Sequence, residues 1–137
     1  YATNQIIKMM ILNGINFKDS KVGILGVTFK ENCPDVRNSK ILNMINELKS
    51  WGIDVIVSDP WADPIEVKDR LGFSLDKLDY NNQVDSLIVA VGHSEFRNLD
   101  IVDLRSYCKG VSPVLADIKS LYKKEDLEDQ GFTVFRL

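Results

Sequence analysis

Short apolar segments alternate along this chain with segments of helical periodicity, and no other feature of the sequence limits the fold as much. The apolar segments are continuous runs, which is typical of strands that are buried on both faces. Strands of this kind that are separated by helices form parallel sheets with helices packed on both sides. The predicted strands cover residues 21–26, 53–58, 86–91, 113–118 and 132–135.

The segments between these strands carry apolar residues at helical spacing, or residues that begin and end helices. The predicted helices cover residues 2–13, 39–51, 63–71, 101–107 and 124–130. Because strands and helices alternate, the sequence predicts an α/β fold. We expect a three-layer, Rossmann-like sandwich in which a mostly parallel sheet carries helices on both faces.

Several local details of these elements can be predicted from residue chemistry. Either Asn38 or Ser39 can cap the second helix, because both side chains accept hydrogen bonds from backbone N–H groups. Pro64 suits the first turn of the third helix, where no N–H donor is needed. Phe73 and Leu75 fit either a short further strand or a loop.

Length and charge exclude several classes of protein. The 137 residues fit one domain with a core of its own. The net charge of −3 does not support a broad basic surface, so we expect no nucleic-acid partner. No apolar run is long enough to span a bilayer and no signal-peptide pattern occurs, so we expect no membrane partner. The chain begins with Tyr1 rather than Met, and we expect it to be a piece of a longer protein.

Cys33 and Cys108 lie far apart in the sequence and lack the spacing of metal ligands, so we expect no metal site. A reduced, cytoplasmic protein fits this cysteine usage best. Cys108 ends a predicted helix and is expected to be a packed thiol.

Polar residues follow the predicted strands at the edge where parallel α/β sheets bind ligands. The first strand leads into a glycine turn that ends at Lys30, and Arg37 follows; Lys119 comes after a later strand, and Lys40 lies nearby. Lysine supplies a point charge and arginine a bidentate fork, and both suit phosphate oxygens. On spacing alone a structural role is favoured, because such a turn often serves only strand–helix packing. The full Gly-x-Gly-x-x-Gly fingerprint does not occur.

The motifs in combination resemble the C-terminal domain of the UDP-glucose/GDP-mannose dehydrogenase family. The resemblance extends over nearly the whole chain, and the segment from Thr28 to Asp35 is most similar to the branch that oxidises UDP-N-acetylhexosamines. The motifs are Gly26-x-x-Phe29-Lys30, Asp35-x-Arg37-x-Ser39, Asp59-Pro60, Ala90 to Phe96, Asp117-Ile118-Lys119 and Phe135-Arg136-Leu137.

This resemblance implies an NAD-dependent oxidation of the C6 hydroxyl of a UDP-sugar to a carboxylate, for the synthesis of polysaccharides such as bacterial capsule. Family members perform two hydride transfers through a thioester on a cysteine. Their NAD fingerprint and their Gly-Gly-x-Cys motif lie in other domains, and neither motif occurs here. Cys33 does not match the cysteine motif. We therefore expect no catalytic residue in this fragment, which should be inactive alone.

The resemblance also assigns ligand contacts to three cationic residues. Lys30 and Lys119 match positions that contact the UDP-sugar, although relatives often have arginine where Lys119 stands, so the fork is lost. Arg37 matches the arginine that reaches NAD, which the family binds mainly through its N-terminal domain.

Four further residues are predicted to support this loop: Gly26, Phe29, Asp35 and Ser39. Asp35 either orients Arg37 or Lys30 through a salt bridge or braces the loop against the backbone, and the second role is favoured. Ser39 is expected to cap a helix rather than to contact a ligand.

Structural roles are expected for His93, Asp59, Trp51 and Trp61. His93 is the single histidine and falls in a predicted turn over residues 92–96, with no nucleophile or metal ligand apparent beside it. Asp59 is expected to serve a turn or a helix start. Both tryptophans are expected to pack, and base stacking by Trp61 is the less favoured alternative.

Residues 1–19 resemble the end of the helix that joins the central and C-terminal domains of the family, and residues 20–137 the UDP-sugar-binding domain. We expect the helix to fold back on this domain or to pair with another copy, and the full-length protein to be a homodimer or larger.

Two alternatives stay open: a free-standing nucleotide-binding or regulatory module without catalysis, and a flavodoxin-like signalling domain. The glycine, phenylalanine and lysine after the first strand argue against the second.

Overall fold

The structure, a computed structural model, describes residues 1–37 and 39–137. Five strands form one sheet in this part of the chain: β1 (Lys21–Leu25), β2 (Asp54–Ser58), β3 (Ser86–Val89), β4 (Val114–Asp117) and β5 (Thr133–Arg136). Their order across the sheet is β2-β1-β3-β4-β5, and every neighbouring pair is parallel. The predicted parallel α/β sheet is therefore confirmed.

Helices cover both faces of this sheet. They are α1 (Ala2–Leu12), α2 (Ile41–Ser50), α3 (Pro64–Leu71), α4 (Ser94–Arg97), α5 (Ile101–Ser106) and α6 (Lys124–Asp129), with a 3₁₀ turn at Phe17–Asp19. Helices α1, α2 and α3 contribute to one buried cluster and α4, α5 and α6 to another. Ile88 belongs to the first cluster and its neighbours Leu87 and Val89 to the second, so the clusters lie on opposite faces. The three-layer prediction is confirmed.

The local predictions have different outcomes. The carboxylate of Asp63 accepts a hydrogen bond from the N–H of Ile65 at 2.9 Å, and Pro64 begins α3 as expected. The hydroxyl of Ser39 accepts from the N–H of Ile41 at 3.3 Å, while Asn38 lies outside the described residues.

Two segments were ambiguous or wrongly predicted. Phe73 and Leu75 lie in a loop between α3 and β3 and not in a further strand. The segment after His93 continues into the four-residue helix α4, which the predicted turn did not include. A helix of this length carries too few apolar positions to show a period.

The N-terminal helix α1 packs against the same core as the rest of the chain. Ile6, Ile7 and Met10 are buried in the cluster that also contains α2 and residues of β4. The helix thus folds back on this domain, while Ile11 and Leu12 at its end stay exposed. Among the described helices none is both long and apolar enough to cross a membrane.

The strand order fixes where a ligand can bind. β1 has β2 on one side and β3 on the other, so the connections that leave the carboxyl ends of β1 and β3 diverge. In sheets of this order, ligands bind in the crevice at that point.

Candidate functional site

A cleft of about 520 Å³ opens at the carboxyl edge of the sheet, where the connections after β1 and β3 diverge. Its wall comes from the loop after β1, the first residues of α2, the turn after β3, and the loop after β4. Four cationic side chains line it: Lys30, Lys40, Arg97 and Lys119. Glu31 is the one carboxylate among its lining residues. Cationic groups on such a wall favour an anionic ligand.

The structure brings together two of the three cationic residues that the sequence singles out. Lys30 and Lys119 line the same cleft although they are far apart in the chain, because β1 and β4 end at the same edge of the sheet. Phe29, a predicted support residue, is 56% exposed and also lines the cleft. Its side chain therefore faces the space that a ligand would occupy.

Arg97 is a cleft residue that sequence reasoning missed. It ends the short helix α4, whose first residues were assigned to a turn. Its Nη2 lies 3.4 Å from Oε2 of Glu31, and its Nε donates to the carbonyl of Gly92 at 3.2 Å. A Cβ on Gly92 would lie 3.1 Å from that Nη2 and 3.2 Å from the Glu31 oxygen, so glycine leaves room for the pair. The signal available in the sequence is an arginine just beyond the turn that follows β3.

Arg37 lies apart from Lys30, beside a shallower cavity of about 230 Å³ that Glu66 and Arg70 also line. Its guanidinium forms a two-point pair with Asp35, with Nε 3.0 Å from Oδ1 and Nη2 3.1 Å from Oδ2. Hydrogen bonds from the side chain and backbone N–H of Arg37 hold the pKa of Asp35 below its usual value. The Asp35 carboxylate thus orients Arg37, and the Asp35 carbonyl also braces the loop by accepting from the N–H of Phe29 at 2.7 Å.

Gly26 allows the loop after β1 to leave the sheet. Its φ is +101°, a conformation that residues with side chains rarely adopt. A Cβ at this position would lie 2.6 Å from the Cβ of Val91 and 3.0 Å from its backbone nitrogen. The glycine therefore lets the strand end approach the turn after β3, which brings the two walls of the cleft together.

Asp59 holds the start of the loop after β1 through hydrogen bonds to its backbone. Its buried carboxylate accepts from the N–H of Val27 at 2.8 Å through Oδ2, and from the N–H of Trp61 at 2.8 Å through Oδ1. Burial opposes its ionisation, but hydrogen bonds from His93 and from backbone N–H groups outweigh burial and keep its pKa below the usual value. Asp59 therefore joins the connection after β2 to the loop after β1, beyond the turn role expected for it.

His93 occupies the predicted turn with a ring that is fully buried. Its Nε2 lies 3.0 Å from Oδ2 of Asp59 and 3.1 Å from Oγ1 of Thr28, and its Nδ1 lies 2.9 Å from the backbone nitrogen of Asn32. The indole of Trp61 stacks on this ring at 6.1 Å and donates to Glu95 at 2.9 Å. Sequence reasoning missed this network, because its members come from three separate loops.

Lys119 is held by the loop that begins at Asp117. The buried carboxylate of Asp117 accepts from the N–H groups of Leu121 at 2.9 Å and Tyr122 at 3.0 Å. Arg136 of β5 lies 3.9 Å from the same carboxylate and also donates to the carbonyl of Tyr122. The Asp-x-Lys motif thus combines a structural aspartate with an exposed lysine.

The two cysteines have different surroundings. Cys108 is buried, and burial raises the pKa of its thiol to about 12, which confirms the predicted packed thiol. Cys33 is half-buried in the loop after β1. Within residues 1–37 and 39–137, no group of three or more His, Cys, Asp and Glu side chains could hold a metal ion.

Comparisons with known proteins agree with this fold. A family model described as "UDP-glucose/GDP-mannose dehydrogenase family, UDP binding domain" matches residues 23–124. The UDP-N-acetyl-D-glucosamine 6-dehydrogenase of Salmonella typhi is 41% identical over 91% of this chain. Protein CapL of Staphylococcus aureus is 34% identical over 93% of the chain. The chain spans only 29% and 30% of the length of these two relatives.

Solved structures show the same fold at lower sequence identity. An NDP-N-acetyl-D-galactosaminuronic acid dehydrogenase from Methanosarcina mazei Go1 superposes with a TM-score of 0.86 at 20% identity, over 98% of this chain and 28% of its own. A UDP-D-ManNAc dehydrogenase from Pyrococcus horikoshii superposes with a TM-score of 0.76 at 15% identity, over 98% of this chain and 29% of its own. With the family match over residues 23–124, the chain belongs to the UDP-glucose/GDP-mannose dehydrogenase family, as its UDP binding domain.

Proposed function

We propose that the cleft between the connections after β1, β3 and β4 binds the diphosphate of a UDP-sugar. The observation that carries this proposal is the convergence of Lys30, Lys40, Arg97 and Lys119 on one cleft at the carboxyl edge of the sheet. Each cation comes from a different segment of the chain, so the fold and not a local cluster creates the positive wall. Diphosphate oxygens form their strongest hydrogen bonds with such charged donors.

The four cations have different parts in this proposal. Lys30 and Lys119 supply point charges to the phosphates. Arg97 supplies the planar fork that a lysine at position 119 lacks, and its exposed guanidinium lies in the cleft. Lys40 stands at the start of α2, where the backbone N–H groups of a helix also favour an anion.

The activity of the whole protein is proposed as NAD-dependent oxidation of the sugar C6 hydroxyl to a carboxylate, with products used in polysaccharides such as capsule. Two relatives support the oxidation: the UDP-N-acetyl-D-glucosamine 6-dehydrogenases of Salmonella typhi and Pseudomonas aeruginosa. We place the catalytic cysteine and the NAD fingerprint outside this chain, which then binds substrate without turning it over. Residues 1–19 are proposed as the end of a connecting segment and residues 20–137 as the binding domain. A cytoplasmic location and a homodimeric or larger assembly remain predictions.

NAD, when bound, accepts the hydride. The described residues fit a contact from Arg37 to one of its phosphates, since Asp35 engages the Nε and Nη2 groups and a guanidinium carries five N–H donors. Arg37 is exposed and fixed in direction by that pair. Its role is to hold a phosphate in place at the rim of the domain, and the chemistry of hydride transfer lies elsewhere.

Binding of UDP to the 137-residue chain, followed by NMR chemical-shift changes, tests the diphosphate proposal. Lys30→Ala and Lys119→Ala each remove one charge-assisted contact, which is worth about 1.5–3 kcal/mol, so each should raise the Kd at least about tenfold. Lys18→Ala is the matched control, because Lys18 lies in the turn before β1 at the opposite edge of the sheet. Unchanged affinity in both cleft variants, or an equal loss in the control, rejects the proposal.

A free-standing binding or regulatory module is the alternative that the same cleft permits. The coding sequence upstream of Tyr1 separates the two functions. An NAD fingerprint and a glycine-flanked cysteine encoded there support the dehydrogenase, and their absence from the gene supports the module.

A further inference from the structure

The loop that carries Lys30 turns at Asn32, on the far side of that lysine. Asn32 has a φ of +52°, in the left-handed region that asparagine enters more readily than most residues with side chains. Its side-chain oxygen accepts from the N–H of Ser94 at 2.9 Å, and its own N–H points at Nδ1 of His93 at 2.9 Å. Both hydrogen bonds tie Asn32 to the segment after β3, and that segment therefore holds the loop in its bent shape.

His93 contacts this loop on both sides of Lys30. Nδ1 accepts the N–H of Asn32, so that nitrogen carries no proton and the ring is neutral, with its proton on Nε2. That proton is directed to Oδ2 of Asp59 and shared with Oγ1 of Thr28. The hydroxyl of Thr28 in turn donates to the carbonyl of Lys30 at 2.9 Å. One buried ring therefore holds residues 28 and 32, and Lys30 lies midway between them.

The two nitrogens of the His93 ring have different roles. Thr28 remains attached without His93, because its N–H lies 3.4 Å from Oδ2 of Asp59 and the N–H of Val27 donates to the same oxygen. Asn32 has no comparable second anchor for its backbone N–H among the described hydrogen bonds, and only its side chain is held by Ser94. The Nε2 half thus stabilises the buried Asp59, and the Nδ1 half shapes the loop.

We propose that His93 is a positioning residue of the nucleotide cleft, whose neutral ring holds the segment from Thr28 to Asn32 in the bent shape that directs Lys30 at the ligand. This inference rests on the proposed function, because it needs a ligand that Lys30 contacts. It assigns to the single histidine of the chain a binding duty that it performs without touching the ligand.

Two substitutions dissect the ring. His93→Asn places an amide oxygen near the position of Nδ1 and keeps the acceptor for the N–H of Asn32. It loses the hydrogen bond from Nε2 to the carboxylate of Asp59. His93→Gln reaches the position of Nε2 and keeps a donor to Asp59, but loses the acceptor for Asn32. The stability of the chain should therefore fall more in His93→Asn, which leaves a buried carboxylate with one donor fewer. The affinity for UDP should fall more in His93→Gln, by about two- to tenfold, the value of one net hydrogen bond.

The opposite order of stability and affinity is the result that a merely structural role cannot give. Thermal midpoints, UDP dissociation constants and hydrogen exchange of the Asn32 amide are measured on the same samples. We expect the amide to stay protected in His93→Asn and to exchange faster in His93→Gln. Val134→Ala, in the buried part of β5, is the control for destabilisation far from the cleft.

The possible outcomes distinguish failure of the positioning role from failure of the proposed UDP binding. If the wild-type chain binds UDP and the affinities of the variants simply follow their thermal midpoints, as in Val134→Ala, the positioning role is wrong and the UDP site stands. If the wild-type chain and Lys30→Ala respond equally weakly to UDP, the proposed function fails and the positioning role fails with it.

Discussion

Gly26 shows how a single residue controls the approach of two loops. Its positive φ and the 2.6 Å that would separate an added Cβ from the Cβ of Val91 are independent obstacles to any side chain. We expect Gly26→Ala to lower the free energy of unfolding by about 2–5 kcal/mol, the sum of about 1–2 kcal/mol for the backbone and about 1–3 kcal/mol for overpacking. Urea denaturation measures this loss.

Gly52 provides the matched control for Gly26. Its φ is +82°, but a Cβ there meets no described atom within 4 Å. Gly52→Ala should therefore cost only the backbone share, about 1–2 kcal/mol. Equal losses in the two variants would show that the contact with Val91 is not what excludes a side chain at position 26.

Glu31 is the one carboxylate among the lining residues of the cationic cleft, and it competes with an anionic ligand for Arg97. The pair is exposed and its atoms are 3.4 Å apart, so its own contribution to stability is small. Glu31→Gln should tighten UDP binding by about two- to fivefold. The ligand then does not compete with a carboxylate for Arg97, and its phosphates are not repelled by a negative charge at position 31. Glu128→Gln on α6 makes the same charge change outside the cleft and should leave the Kd unchanged. Weaker binding in Glu31→Gln would contradict this competition.

The site residues differ in how well their position in the cleft can be predicted from the sequence. Lys30 and Lys119 lie in the loops that follow β1 and β4, so a parallel sheet places them at one edge before any contact is known. Arg97 and the His93–Asp59 contact depend on the paths of three irregular loops. No periodicity or spacing encodes those paths, because they are fixed by mutual packing and by hydrogen bonds between distant segments.

At the scale of elements, α3 shows local chemistry deciding where a helix begins. The side chain of Asp63 accepts from the N–H of Ile65, and Gly72 ends the helix in a left-handed conformation. We expect Asp63→Ala to lower the free energy of unfolding by about 1 kcal/mol, through loss of the cap. Asp69→Ala, near the other end of the same helix, removes the same carboxylate where the helix dipole disfavours it and should be neutral or slightly stabilising. Equal losses measured by denaturation would reject the capping role.

Element prediction succeeds here where a segment carries its own signal. The strands are continuous apolar runs, and α2 and α3 have apolar stripes or caps, so they are found to within a few residues. α4 is four residues long and exists because the turn after β3 packs Phe96 into the core beside His93. Such a helix forms because of its tertiary contacts, and its local sequence alone does not predict it.

At the scale of the molecule, the strand order gives the chain its binding edge. Alternating strands and helices establish a parallel sheet, but they permit several orders of the strands. Only the pairing of β1 with both β2 and β3 makes the connections diverge where the cations converge. The strand order therefore places the glycine turn after β1 beside the turn after β3, and both line the cleft.

The N-terminal helix tests whether the whole chain folds as one unit. Met10 of α1 is fully buried in the cluster that includes α2 and β4, whereas Leu12 is 77% exposed. Met10→Ala should lower the free energy of unfolding by about 2–5 kcal/mol, while Leu12→Ala should change it by less than about 0.5 kcal/mol. Chemical denaturation followed by circular dichroism should give one transition for the wild type and both variants, because α1 shares its core with the sheet. A negligible loss in Met10→Ala, or a separate early transition, would mean that α1 is an appendage that other parts of a longer protein must hold.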